Sequence, residues 1–91
     1  MHLLIPYDIT DDQRRRKVDK LLSSYGKRVN YSVFEVEISK AKFKVLIQAL
    51  KAITDKKHDH VRVYVLNKES LKNSFVLHKN SKVFKDEPLY I

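Results

Sequence analysis

The sequence predicts an α+β domain, and three observations carry that expectation. Two stretches repeat apolar residues at helical spacing: Val18, Leu21, Leu22 and Tyr25, then Phe43, Leu46, Ile47, Leu50 and Ile53. Each follows strand-like sequence, and Val61, Val63 and Val65 alternate in a further β region. The order strand, helix, two strand segments, helix, strand is the βαββαβ pattern of the split βαβ unit, the ferredoxin-like arrangement, with an extra strand at the C-terminal end.

The apolar run Leu3-Leu4-Ile5-Pro6-Tyr7 predicts a short buried strand over residues 2–8 that ends on Asp8. Pro6 brings no N–H to a ladder, which implies an irregular end just before Asp8 or an N–H position facing away from a neighbour. Thr10 is expected to cap the first helix, with Gln13 reaching back as a capping box and Asp11 and Asp12 suiting the positive helix end. Gly26 is placed to end that helix. Within residues 28–38 the alternation changes phase: Val29, Tyr31 and Val33 are apolar at odd positions, Phe34, Val36 and Ile38 at even ones. One strand cannot bury both sets on one face, so a bulge or a break near residues 32–34 is required. Ser39 caps a second helix that runs to Ile53 or close to it, residues 54–60 form a polar loop, and residues 67–73 form a turn or a single helical turn before strand-like Phe75-Val76-Leu77. The domain is expected to span residues 1–78, with 79–91 as an extension. Its apolar end, Leu89-Tyr90-Ile91, needs a cover, either the chain's own sheet edge or a second subunit.

Ninety-one residues make one domain with a thin core, which a second subunit would help to cover. The net charge is +8, from 19 Lys and Arg against 11 Asp and Glu, and the isoelectric point is near 9.8. A domain this basic carries the electrostatic footprint of a nucleic-acid binder. An anionic membrane is the weaker alternative, because no basic amphipathic helix with Trp or Phe anchors is present. With no apolar run near the ~20 residues of a membrane span and no signal-peptide layout, a soluble cytoplasmic protein without a membrane partner is expected. The absence of cysteine excludes disulfides, thiolate catalysis and cysteine-based zinc sites.

Asp8 is the candidate metal ligand. A carboxylate at the mouth of a buried strand, facing a helix that opens with Arg14-Arg15-Arg16-Lys17, suits a divalent cation and a phosphate. The structural alternatives are capping of the first helix and an ion pair with Arg15. Four consecutive helical residues spread around the circumference, so the basic run cannot converge on one ligand. Tyr7, Tyr31 and Phe34 are aromatic candidates for stacking on bases, although ordinary sheet packing is the expected role of Tyr31. His58-Asp59-His60 is read as a polar loop rather than a metal site: Lys56 and Lys57 repel cations, and the histidine pair lacks a third protein ligand. Lys40, Lys42, Lys44 and Lys51 add positive surface suited to sequence-independent backbone binding.

Tyr7-Asp8-Ile9, the run at 14–18, Tyr25-Gly26 and the stretch Arg28-Val29-Asn30-Tyr31-Ser32-Val33-Phe34-Glu35 resemble the CRISPR-associated protein two family, small spacer-acquisition proteins found beside the CRISPR integrase. The resemblance implies a ferredoxin-like homodimer in which the strand-end aspartates face each other across the two-fold axis and hold Mg²⁺ (or Mn²⁺). It assigns Asp8 as the metal ligand and catalytic residue of a metal-dependent endonuclease acting on RNA or DNA. Tyr7, Arg15, Arg28 and Phe34 fall on supporting, nucleic-acid-binding positions. Lys17 stands at a second basic position, where it supplies charge but not the planar fork of arginine. Asn30, in place of glutamine, and Pro6 depart from the family pattern. The implied partners are a second copy of the chain, the CRISPR integrase subunit and RNA or DNA; the C-terminal strand, residues 84–91, is expected to pair across subunits or with the integrase. The alternatives are a non-catalytic adaptor that scaffolds the integrase on DNA and a toxin-type ribonuclease resembling virulence-associated protein D. An RNA-recognition module ranks below these, because its aromatic-glycine signature is missing.

Overall fold

The computed structural model describes residues 1–78 and 83–84. The element order is β1 (His2–Asp8), α1 (Asp12–Ser23), β2 (Gly26–Asn30), β3 (Val33–Glu37), α2 (Lys40–Ile53), β4 (His60–Val61), β5 (Tyr64–Leu66) and α3 (Lys68–Lys72). β1 is central. It pairs antiparallel with β3 on one side and with β4 and β5 on the other, and β2 lies outside β3. Counting β4 and β5 as one interrupted strand, this is the strand order of the split βαβ pattern.

That interruption has a cause in the sequence. Leu4 faces Tyr64 and Tyr7 faces Val61, so one register runs through both short strands. Between them, the Arg62 N–H donates to the Pro6 carbonyl at 2.9 Å. An opposed antiparallel pair of this kind normally exchanges two hydrogen bonds, and Pro6 has no N–H to return. The ladder loses one rung there, and β1 itself continues regularly to Asp8.

The core lies between the sheet and the helices. Leu3, Ile5 and Tyr7 from β1 and Phe34 and Val36 from β3 meet Val18 and Leu22 from α1 and Leu46 and Leu50 from α2. Full burial of a side chain of this size contributes about 1.5–3 kcal/mol. Both helical stripes read from the sequence face this core, with Leu21, Tyr25, Phe43, Ile47 and Ile53 packed at its margin. The alternate residues of β1, ending in exposed Asp8, point to the opposite face of the sheet.

Several local expectations are corrected. Asp11, not Thr10, caps α1, its carboxylate accepting from the Arg14 N–H at 2.9 Å. Ser24 caps the other end, and Gly26 opens β2 without a positive φ. Gly26 is required instead by close strand approach: a Cβ there would lie 2.2 Å from the Glu35 carbonyl oxygen and 2.7 Å from Val36 Cγ2. The phase change in residues 28–38 is resolved by both devices at once, a two-residue connection at Tyr31-Ser32 and a bulge between Arg28 and Asn30. Val29 and Tyr31 are left facing solvent, so the packing role expected for Tyr31 does not hold. Phe75-Val76-Leu77 forms no strand; Phe75 and Leu77 are exposed. Ser39 caps α2, as read from the sequence, and residues 67–73 hold the single short helix α3, capped by Asn67. The strand expected at residues 84–91 lies, apart from Phe84, outside the described residues. Phe84 has a φ of 63°, stacks edge-on against His2 at 5.3 Å and donates its N–H to Glu35 Oε1 at 2.7 Å.

Candidate nucleic-acid and metal site

The end of β1, the first turns of α1 and the β2–β3 connection enclose a cavity of about 250 Å³ lined by Tyr7, Asp8, Ile9, Arg15, Asp19, Arg28, Tyr31 and Ser32. Five of the sequence candidates, Tyr7, Asp8, Arg15, Arg28 and Tyr31, thus share one space. Asp8 is exposed at its edge, and among the described residues no side chain or backbone group donates to its carboxylate. The two structural roles open to it are filled by others. Asp11 caps the helix, and Arg15 pairs with Asp12 at 2.6 Å while also reaching the Ile9 carbonyl at 3.4 Å. A second, smaller cavity of about 180 Å³ flanks Asp8 on the β4 side, lined by Pro6, Tyr7, His60 and Arg62.

The floor and wall of the main cavity form one hydrogen-bonded chain. The Tyr7 hydroxyl donates to Asp19 on α1. Asp19 is paired in turn with the Arg28 guanidinium at 3.2 Å. Arg28 also donates to the Tyr31 carbonyl and lies over the Phe34 ring, 5.1 Å from its centroid. Burial and then the bond to Asp19 push the Tyr7 phenol up to about 12, with Arg28 opposing weakly. At neutral pH Tyr7 is therefore a fixed donor and offers no base.

Phe34 is fully buried and Tyr7 nearly so, and neither presents a ring face to a ligand. They support the site from beneath, Phe34 through its contact with Arg28 and its stacking against Tyr7 at 6.2 Å. Lys17 lies exposed on α1 and does not line the cavity. Arg14 is directed away from it, held by Asp59 at 2.7 Å. That ion pair breaks up the His58-Asp59-His60 triplet. Asp59 serves Arg14 and the Asp55 N–H, His58 bonds Asp55 at 2.9 Å, and His60 sits opposite Asp8 in the β1–β4 ladder.

Sequence reasoning missed Asp19, Ser32, His60 and Arg62. Asp19 carried a usable signal: it is a charged residue next to Val18 on a helix whose core face is set by that valine. Ser32 stood only within the family-like stretch and His60 only within a polar loop, and Arg62 carried no signal, because strand pairing brings them to the site. No group of three or more His, Asp or Glu side chains able to hold a metal forms among the described residues. The unbonded Asp8 carboxylate can supply one oxygen to a hard divalent cation, which would take the rest of its shell from water and phosphate oxygens, while Arg15 and Arg28 suit the phosphate. No helix among the described residues is long and apolar enough to cross a membrane.

Residues 1–74 match the family model described as CRISPR associated protein Cas2. A protein of Synechocystis sp. named CRISPR-associated endoribonuclease Cas2 3 is 47% identical over 68 residues, 75% of this chain and 74% of that protein. The crystal structure of Streptococcus pyogenes Cas2 at pH 6.5 superposes with a TM-score of 0.74 at 35% identity, covering 85% of this chain and 99% of that one. A chain of a partial Cas6-RT-Cas1–Cas2 complex superposes with a TM-score of 0.75 at 31% identity, covering 99% of this chain and 96% of that one.

Proposed function

This chain belongs to the family of CRISPR associated protein Cas2, and from that premise we propose that it is a CRISPR adaptation protein with divalent-metal-dependent endonuclease activity on RNA or DNA, working in the cytoplasm as a homodimer beside the CRISPR integrase. The observation that carries this reading is the exposed Asp8 carboxylate, without a donor among the described residues, at a cavity walled by Arg15 and Arg28. The endoribonuclease name of the Synechocystis relative supports hydrolysis, and the likeness to a chain of a Cas1–Cas2 complex supports the integrase partner.

In the proposed reaction Arg15 and Arg28 hold the phosphodiester, Arg28 kept in place by Asp19 and Phe34. Asp8, joined by its counterpart in a homodimer, would hold the Mg²⁺ or Mn²⁺. Such an ion supplies Lewis-acid polarisation of a phosphoryl oxygen and a more acidic water. Tyr7 stays protonated and fixes Asp19, which keeps that carboxylate paired with Arg28. Lys17 and the lysines of α2 add sequence-independent attraction at longer range.

Cleavage of single-stranded RNA and of duplex DNA, measured with Mg²⁺, with EDTA and with Asp8→Ala, tests the reading. Products are expected only with Mg²⁺ and intact Asp8; products that persist in Asp8→Ala refute it. The second reading, a non-catalytic adaptor for the integrase, is favoured by the pairing of Asp19 with Arg28, which leaves Asp8 as the one unbonded carboxylate lining the cavity among the described residues. It predicts no cleavage from the unaltered protein, and DNA binding and integrase assembly that survive Asp8→Asn.

A further inference from the structure

We propose that the Tyr31 ring is a stacking platform for one unpaired nucleobase of a single strand whose backbone enters the Asp8 cavity, an inference that rests on the phosphodiester reading of that cavity. Tyr31 is 91% exposed in the single subunit. It lines the same cavity as Asp8, Arg15 and Arg28. Of the aromatic side chains at this site, Tyr7 and Phe34 present no free ring face, so among the described residues Tyr31 is the one that can meet a base. An aromatic ring left in water gains nothing from the fold, whereas every nucleobase offers it a π-face.

The ring projects from a braced turn. The Tyr31 N–H donates to Asn30 Oδ1 at 2.8 Å, its carbonyl accepts from Arg28, and the Ser32 carbonyl accepts from the Tyr7 N–H at 2.9 Å. A platform on an already ordered backbone avoids most of the ordering cost of binding. Arg28 links the two functions, since the guanidinium that walls the phosphate cavity also holds the Tyr31 backbone. In a duplex the bases are stacked on each other and closed to Tyr31, so the platform discriminates in favour of unpaired nucleotides.

The test is binding measured by fluorescence anisotropy in EDTA, which removes cleavage from the readout. The probes are a labelled single-stranded oligoribonucleotide of mixed sequence, the same strand with abasic positions, and a duplex. Tyr31→Ala is expected to weaken single-strand binding about tenfold, while Tyr31→Phe and Tyr31→Trp retain it. Duplex affinity should stay within about twofold of the unaltered protein, because phosphate contacts are untouched. Abasic positions should weaken the unaltered protein and leave Tyr31→Ala indifferent. The chain has no tryptophan, so the fluorescence of Tyr31→Trp reports stacking directly, and quenching by the single strand but not the duplex is expected. Unchanged single-strand affinity in Tyr31→Ala, or equal losses on single strand and duplex, overturns the proposal. Cleavage that still depends on Mg²⁺ and Asp8 in that event leaves the phosphodiester reading standing, whereas failure of the unaltered protein to bind any of the probes defeats both.

Discussion

Arg28 lies across the ring of Phe34, its guanidinium carbon 5.1 Å from the ring centroid, and the two residues are direct partners in the β2–β3 ladder. One cation is thereby anchored to the buried core, to α1 through Asp19 and to the hairpin connection through the Tyr31 carbonyl. This explains how a residue with no exposed surface serves a surface site: Phe34 sets the height and tilt of Arg28.

Arg28→Ala removes the cation from the ring and the ion pair with Asp19. Its side chain is 41% exposed, so the expected loss is modest, about 1 kcal/mol, read as a lower urea midpoint. Nucleic-acid affinity should fall several-fold in Arg28→Ala and also in Arg28→Lys, because an ammonium cannot lie flat on Phe34 while bonding Asp19 and the turn. An Arg28→Lys variant that binds as tightly as the original would show that charge alone suffices.

Tyr7 gives an alkaline signature. Its folded pKa is raised to about 12, above the ordinary value near 10. The associated stability is fully present below pH ~10 and is lost as pH rises toward about 12. Ultraviolet titration should show a phenol ionising near pH 12, and Tyr7→Phe should abolish that late phase. A set of phenols that all titrate together near pH ~10 would contradict the buried bond to Asp19.

Asp59 gives the acid counterpart. The Arg14 guanidinium, and next the Asp55 N–H, hold its carboxyl below the usual range despite burial. A depressed carboxylate contributes stability that is present above the unfolded pKa of ~3.9 and is lost as pH falls through the lower folded value. Asp59→Asn should therefore lower the urea midpoint at neutral pH and flatten the acid limb of the stability curve. Because the pair ties the α2–β4 loop to α1, hydrogen exchange of residues 55–59 should also quicken.

Gly26→Ala tests the close approach of β2 to β3. With 2.2 Å between the added Cβ and the Glu35 carbonyl oxygen, the strands must part, at a cost of about 1–3 kcal/mol. A variant as stable as the original would mean that the hairpin opens there without penalty.

Periodicity made both helices legible, and with them most of the core. Val18, Leu22, Leu46 and Leu50 are buried where the helical spacing puts them, because an apolar stripe can be satisfied on one side only. The phase change in residues 28–38 was equally legible as a need, since a strand has two faces and the sequence filled both. Its solution was not, because no Asn-Gly or Asp-Gly marked the turn and the bulge at Val29 depends on where Asn30 finds Val33. Capping was readable only to within a residue, as Thr10 and Asp11 offer equivalent oxygens and backbone geometry chose the second.

By itself the sequence determined the layer order, the positive charge and Asp8 at a strand end, all of which follow from near-neighbour chemistry along the chain. Tertiary structure decided which charges meet. It sent Arg14 to Asp59 and Arg28 to Asp19, brought His60 opposite Asp8, buried Phe34 and exposed Tyr31. Those outcomes rest on strand register and helix docking, which join residues far apart in sequence and leave no periodic trace in it.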